Sequence, residues 1–293
     1  MNGLCWRRPG HPRALLAVPV LVLAVAAGCT GTDAGSSADR STTTEPSDTQ
    51  GATLAGDELA AADRVAGRYA HYDVVAYEGS GMKTLIISYG FTDLDVVDGR
   101  LVEQETFCFA DHRSDQPISV TFSDAATQAI RPVPAYPELE VVDARARIVR
   151  PATPTGIGVE LDDPATERLP TDPGDPRITD ADADGDGRPG VTASISVGDG
   201  ALTGELYLAR REIFAYDLAE QPDGRFTGSV RDDSEQLVLG ASDDAFLNPA
   251  QWDQHPDPTR SPILLVPVGR DWDCERLRAE RDALFPPVPA IDF

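Results

Sequence analysis

The residues best equipped for chemistry lie in one run, Asp180-Ala181-Asp182-Ala183-Asp184-Gly185-Asp186-Gly187. Four carboxylates at alternate positions repel one another unless a cation sits among them, and the glycines let the backbone turn sharply around it. A hard ion with several oxygen ligands suits such a donor set, and calcium is the one expected. Asp180, Asp182, Asp184 and Asp186 are the candidate ligands. The implied role is structural: the ion would offset the repulsion and order a long acidic loop, residues 162–190.

Catalytic constellations are missing. The sequence holds no Gly-x-Ser-x-Gly elbow, no zinc-type histidine pair and no Cys-x-x-Cys. No glycine loop is arranged to cradle phosphates, which argues against nucleotide binding. His71 and Asp73, on one predicted strand, could serve as a base and its orienting carboxylate. Trp252-Asp253-Gln254-His255-Pro256-Asp257 reads as a surface crossing between strands. No catalytic residue is assigned. A non-catalytic binding or structural module is expected; the alternative is an exported surface hydrolase with carboxylates of the acidic loop as acid and base.

The amino terminus bears on location. Arg7, Arg8 and Arg13 precede a short apolar stretch, Ala14 to Gly28, in the pattern of a secretory leader. The run Val25-Ala26-Ala27-Gly28-Cys29 resembles the lipobox of bacterial lipoproteins, with Ala26 standing where a larger aliphatic is commoner. The resemblance implies that Cys29 becomes the first mature residue and carries acyl chains, palmitate among them. Thr30 after that cysteine implies the outer membrane where a cell has two. The expected organisation is a leader at 1–28, a Ser/Thr/Asp-rich tether at 29–56 and a single all-β domain at 57–293. Formal net charge is −24, and loss of the leader's three arginines makes it more negative still. Such a polyanion is repelled by nucleic acid and by anionic headgroups, leaving the acyl anchor as the expected membrane contact. With Cys5 in the leader and Cys29 acylated, Cys108 and Cys274 remain, and in an oxidising compartment they are expected to pair.

Between tether and tail the apolar residues alternate rather than follow a helical period. Short strands are predicted at Arg68–Tyr77, Lys83–Leu94, Leu101–Ala110, Ile118–Phe122, Val141–Val149 and Ile157–Leu161. After the acidic loop they resume at Val191–Val197, Leu202–Tyr216, Arg225–Val230, Gln236–Gly240 and Ile263–Val268. Asp98-Gly99 and Asp223-Gly224 are hairpin signals. Strict alternation places Leu101, Phe107 and Phe109 on one face and Cys108 on the other. Ala144, Ala146 and Ile148 are read as inward. Ser123-Asp124 caps a predicted helical turn over Ala125–Ile130, and a helix over Asp271–Phe285, capped by Asp271 or Asp273, closes the chain. The fold class is all-β: an antiparallel β-barrel or a β-sandwich with one C-terminal helix. The barrel version, with its helix stapled back by a disulfide, resembles the calycin (lipocalin-like) plan in architecture alone.

With Asp182 as first ligand, Asp184 and Asp186 fall third and fifth and Gly187 sixth, as at the start of an EF-hand loop. The twelfth position is Ala193 rather than a bidentate glutamate, so the run is more similar to thrombospondin type 3 and dockerin-like aspartate loops. The whole is expected to be a lipid-anchored protein of the bacterial cell envelope, facing outside the cytoplasm. Its partner there would be envelope glycan, protein or a small apolar ligand.

Overall fold

The computed structural model describes residues 51–79, 81–247 and 250–293, with the two-residue strand Leu23–Ala24, which pairs with Ala250–Gln251. Cys29, the expected leader cleavage point and most of the tether lie outside the described residues. Helix α1 (Gly56–Val65) leads into strands β1 (Gly67–Gly79), β2 (Met82–Val97) and β3 (Arg100–Ser114). Strand β4 (Ile118–Phe122), helix α2 (Asp124–Ala129) and strands β5 (Glu138–Val142) and β6 (Arg145–Ile157) follow. Past the acidic loop and its single turn α3 (Pro176–Thr179) come β7 (Val191–Val197), β8 (Leu202–Glu220), β9 (Phe226–Asp232) and β10 (Glu235–Ala241). The chain ends with β11 (Asp253–Gln254), β12 (Pro262–Val268) and α4 (Cys274–Leu284).

These twelve strands form one antiparallel sheet along the path β3-β2-β1-β12-β9-β8-β6-β5, with β10 and β7 on β8, β4 on β7 and β11 on β1. The fold is therefore all-β with one C-terminal helix. On a flat sheet β3 and β6 would lie roughly 28 Å apart, six strand spacings. Instead Arg150 of β6 reaches within 2.9 Å of Glu105 of β3, so the sheet curls on itself. The curl stays open, because β3 and β5 share no ladder. A single bridge, Glu103 to Ala135 with both N–O distances 2.9 Å, spans the gap. Helix α1 packs Ala61, Ala62 and Val65 into the inner core at one mouth.

Alternation sorts each strand into two faces. Along β1, Tyr69, Val75 and Tyr77 join the inner core, while Ala70, Tyr72, Val74 and Ala76 face outward under α4. Leu85, Ile87, Tyr89 and Phe91 share that outer layer with Leu277 and Phe285. Cys108 and Cys274 are bonded and pin α4 to β3 across 166 residues of sequence. Closing so long a loop is worth about 2–4 kcal/mol.

Three local expectations change. A bulge between Tyr89 and Gly90 offsets β3, so Cys108 and Phe109 both join the outer layer while Phe107 stays on the other face. Gly90 permits it, since a Cβ there would lie 2.1 Å from Thr106 O. The predicted strand Val141–Val149 is a hairpin: Asp143 and Ala144 adopt φ of 49° and 63°, so Ala144 turns rather than points inward. Strand β6 then runs unbroken to Ile157, replacing a separate strand at Ile157–Leu161.

Candidate functional site

The inner face of the curled sheet carries charge at positions where alternation calls for apolar residues. His71, Asp73, Glu103, Glu105, Arg150, Arg210 and Asp232 are all buried. Arg150 Nε lies 3.0 Å from Glu103 Oε1 and Nη2 lies 2.9 Å from Glu105 Oε2. The guanidinium also sits 5.3 Å from the Tyr216 ring centre. His71 holds Asp73 Oδ2 at 2.9 Å through Nε2 and Thr92 Oγ1 at 2.8 Å through Nδ1. At the far end Tyr77 donates to Asp232, which also accepts from Ser234 N and Oγ. There β9 parts from β12, and the Gln254 carboxamide closes the gap like a peptide unit. It donates to Val230 O at 2.8 Å and accepts from Asp232 N at 2.9 Å.

With Glu212, whose side chain keeps 15% of its surface exposed, five carboxyls face two guanidiniums and one imidazole. Burial pushes Glu103 up to about 7 against the pull of Arg150, and Glu105 adds to the rise. Burial likewise pushes Glu212 up to about 7, with Arg210 opposing. Asp73 is raised by burial, against His71. For His71 burial favours the neutral ring, but the bond to Asp73 and the charges of Asp73, Glu105 and Glu103 outweigh it and raise its pKa. A general base must leave one ring nitrogen for its substrate. Both nitrogens of His71 are engaged, so the structure brings the expected His71–Asp73 pair together as a buried support.

Next to this cluster, under α2, lies a cavity of about 70 Å³. Its wall is mostly apolar (Ile86, Phe107, Phe122, Ile157, Val191, Phe214), and the polar residues Ser88, Thr127, Arg210 and Glu212 complete it. Ser123 builds the roof by accepting from Ala126 N at 3.0 Å, the N-cap that starts α2. An open groove of about 820 Å³ runs along β6, β8, β9 and residues 252–258, and its lining includes the inward-facing Arg150 and Asp232. Its aromatic neighbours Tyr77, Tyr216 and Trp252 are buried, leaving no ring face for a sugar to stack on.

In the acidic loop, carboxylate oxygens of Asp182, Asp184 and Asp186 lie within 4.8 Å of one another. Asp180 is outside that group and ends the turn α3. Much of the donor capacity is already used. Asp182 accepts from Asp186 N and Gly187 N, Asp184 from Thr192 N, and Asp186 from Arg188 N and Thr192 Oγ1. Asp184 Oδ1 is buried without a partner. The loop is tied at its base, Ala183 N to Gly190 O at 3.0 Å and Gly190 N to Ala181 O at 2.7 Å.

No family model matches the chain, and no curated protein or solved structure matches it either. Function is therefore argued from the site itself. Sequence reasoning singled out His71 and Asp73 but missed Glu103, Glu105, Arg150, Arg210, Glu212 and Asp232. The available signal was parity: Glu103 and Glu105 alternate with Leu101 and Phe107, and Arg210 and Glu212 with Leu206, Leu208 and Phe214. Trp252, read as part of a surface crossing, is fully buried in the inner core.

Proposed function

We propose that the chain is a lipid-anchored protein of the bacterial cell envelope whose β-domain is a non-catalytic binding module. The observation that carries this reading is the filled interior. Tyr77, Phe226, Trp252 and the paired charges occupy it, and the cavity left is about 70 Å³, against roughly 300–1,000 Å³ for pockets that enclose drug-sized ligands. A long acyl chain has no room inside, so a large partner such as envelope protein or glycan would meet the outer surface. The hydrolase alternative draws no support from the acidic loop, whose carboxylates are bonded to the loop's own N–H groups. Anchoring rests on the lipobox resemblance. Expressed with its leader in a bacterium fed labelled palmitate, the wild-type chain is expected to take up label and sediment with membranes. Cys29→Ala is expected to lose both, and a variant that kept label and sedimentation would refute the anchor.

Calcium belongs to the same proposal, at Asp182, Asp184 and Asp186. Three carboxylates this close repel, and an ion bound with an affinity of about 10⁻⁴–10⁻³ M would offset that. Added calcium is expected to raise the melting temperature and chelator to lower it, with Asp184→Asn abolishing the difference. Superimposable wild-type melting curves with and without chelator would remove the ion from the proposal.

A further inference from the structure

The cavity under α2 has two features that a packing void would lack. Its wall is mostly apolar, yet Ser88, Thr127, Arg210 and Glu212 also line it. Arg210 is 7% exposed and its Nε has no hydrogen-bond partner. A buried donor left unpaired costs about 1–3 kcal/mol, so such groups are seldom left without an acceptor. Elsewhere on that guanidinium, Nη2 lies 3.7 Å from Glu212 Oε1, Tyr77 shares a hydrogen bond with the side chain, and the charges of Glu212 and Asp232 act on it.

We infer that the cavity binds a small neutral apolar group bearing one oxygen acceptor, with the oxygen on Arg210 Nε and the carbon atoms among Ile86, Phe107, Ile130 and Ile157. Neutrality follows from the charges nearby. A second anion at Arg210 would face Glu212 and Asp232, and a cation would sit against the guanidinium and the apolar wall. Size follows from the volume. A cavity of 150 Å³ accommodates benzene, so one of about 70 Å³ takes about three or four heavy atoms. The bound group is thus a short branched amide or alcohol, or the end of a larger molecule entering beside α2. That helix is a short roof of six residues. The inference rests on the binding-module reading but not on the anchor or on calcium.

The test uses 2-propanol, a branched alcohol of four heavy atoms, as probe and the folded domain labelled at isoleucine δ1 methyls. Saturable shifts are expected at Ile86, Ile130 and Ile157, which line the cavity, with Ile195 and Ile263 unmoved. Acetate, an anion with the same number of heavy atoms, is expected to leave all five in place. Ala126→Leu, filling the space from α2, is expected to abolish the response. Absence of saturable shifts in the wild-type protein would make the cavity a packing void and overturn the inference, as would an equal response to acetate. Because the wild-type spectra decide alone, failure of Ala126→Leu to fold leaves the test intact. A null result here would leave palmitate labelling and envelope location untouched, so the two proposals fail separately.

Discussion

Arg150→Met is expected to destabilise the fold by about 3–5 kcal/mol at pH 8, the range for removing one partner of a buried ion pair. Arg150 and its partners Glu103 and Glu105 are 3%, 1% and 6% exposed. Methionine retains much of the side-chain volume, so the loss is electrostatic: two carboxylates remain desolvated with no guanidinium between them. At pH 8 Glu103, raised to about 7 with Arg150 in place, is largely ionised in the wild-type chain, so its attraction to the guanidinium is there to be lost. Adding Glu103→Gln and Glu105→Gln to Arg150→Met is expected to restore part of the stability, since an unpaired buried charge costs more than an absent pair. Urea unfolding of the single and triple variants measures both effects. A loss below about 1 kcal/mol for Arg150→Met would mean that the cluster is solvated and does not hold β6 against β3.

That ion pair also explains which parts of the fold were legible in the sequence. Local chemistry was readable. Asp98-Gly99 turns with both φ positive, Ser123 caps α2 through Ala126 N, and Asp273 caps α4 through Arg276 N. Each of these needs only residues a few positions apart. The cysteine pair was readable for a different reason: the expected removal of Cys5 and acylation of Cys29 would leave two thiols, Cys108 and Cys274, and these are bonded. What could not be read depends on distant partners. Glu103 at an inward position makes sense only with Arg150, six strands away along the sheet. Judged by its neighbours alone, a Leu-Val-Glu-Gln-Glu strand looks solvated on that face. Ala144 is a further case. Alanine rarely adopts positive φ, and pairing of Val142 with Arg145 imposes it here. In the acidic loop, spacing anticipated the approach of Asp182, Asp184 and Asp186. It did not anticipate that Asp180 would end the turn α3 instead of joining them.

The same buried carboxyls should make the protein more stable at pH 5 than at pH 8. Glu103 stands at about 7 in the folded chain against an ordinary 4.5. Between those values the folded chain holds a proton that the unfolded chain has released, so the contribution is full below pH 4.5 and is lost as pH rises through 7. At about 1.4 kcal/mol per pH unit the part lost between pH 5 and pH 8 is roughly 2–3 kcal/mol for Glu103, and no more for the partly exposed Glu212, also raised to about 7. His71 is raised too, and its contribution, full below 6.5, is lost above its folded value. One group opposes them. Burial lowers His112 to about 4, so the folded state gains roughly 2 kcal/mol between pH 5 and 6.5 as the unfolded histidine gives up its proton. Surface carboxylates held low, such as Glu220 beside Arg64, lose their stabilisation only in more acidic solution. The carboxyl contributions outweigh His112, leaving wild-type stability at pH 5 above that at pH 8 by on the order of 3 kcal/mol. Relief of repulsion in a chain of net charge −24 acts in the same direction, and the variants separate the two causes. Glu103→Gln and Glu212→Gln each remove one unit of charge, yet each is expected to cut the pH 5 to pH 8 difference by roughly 2 kcal/mol, whereas an exposed control such as Glu140→Gln is expected to leave it unchanged. Equal stability at the two pH values, or a control that flattens the profile as much as Glu103→Gln, would show that the interior carboxyls do not carry the effect.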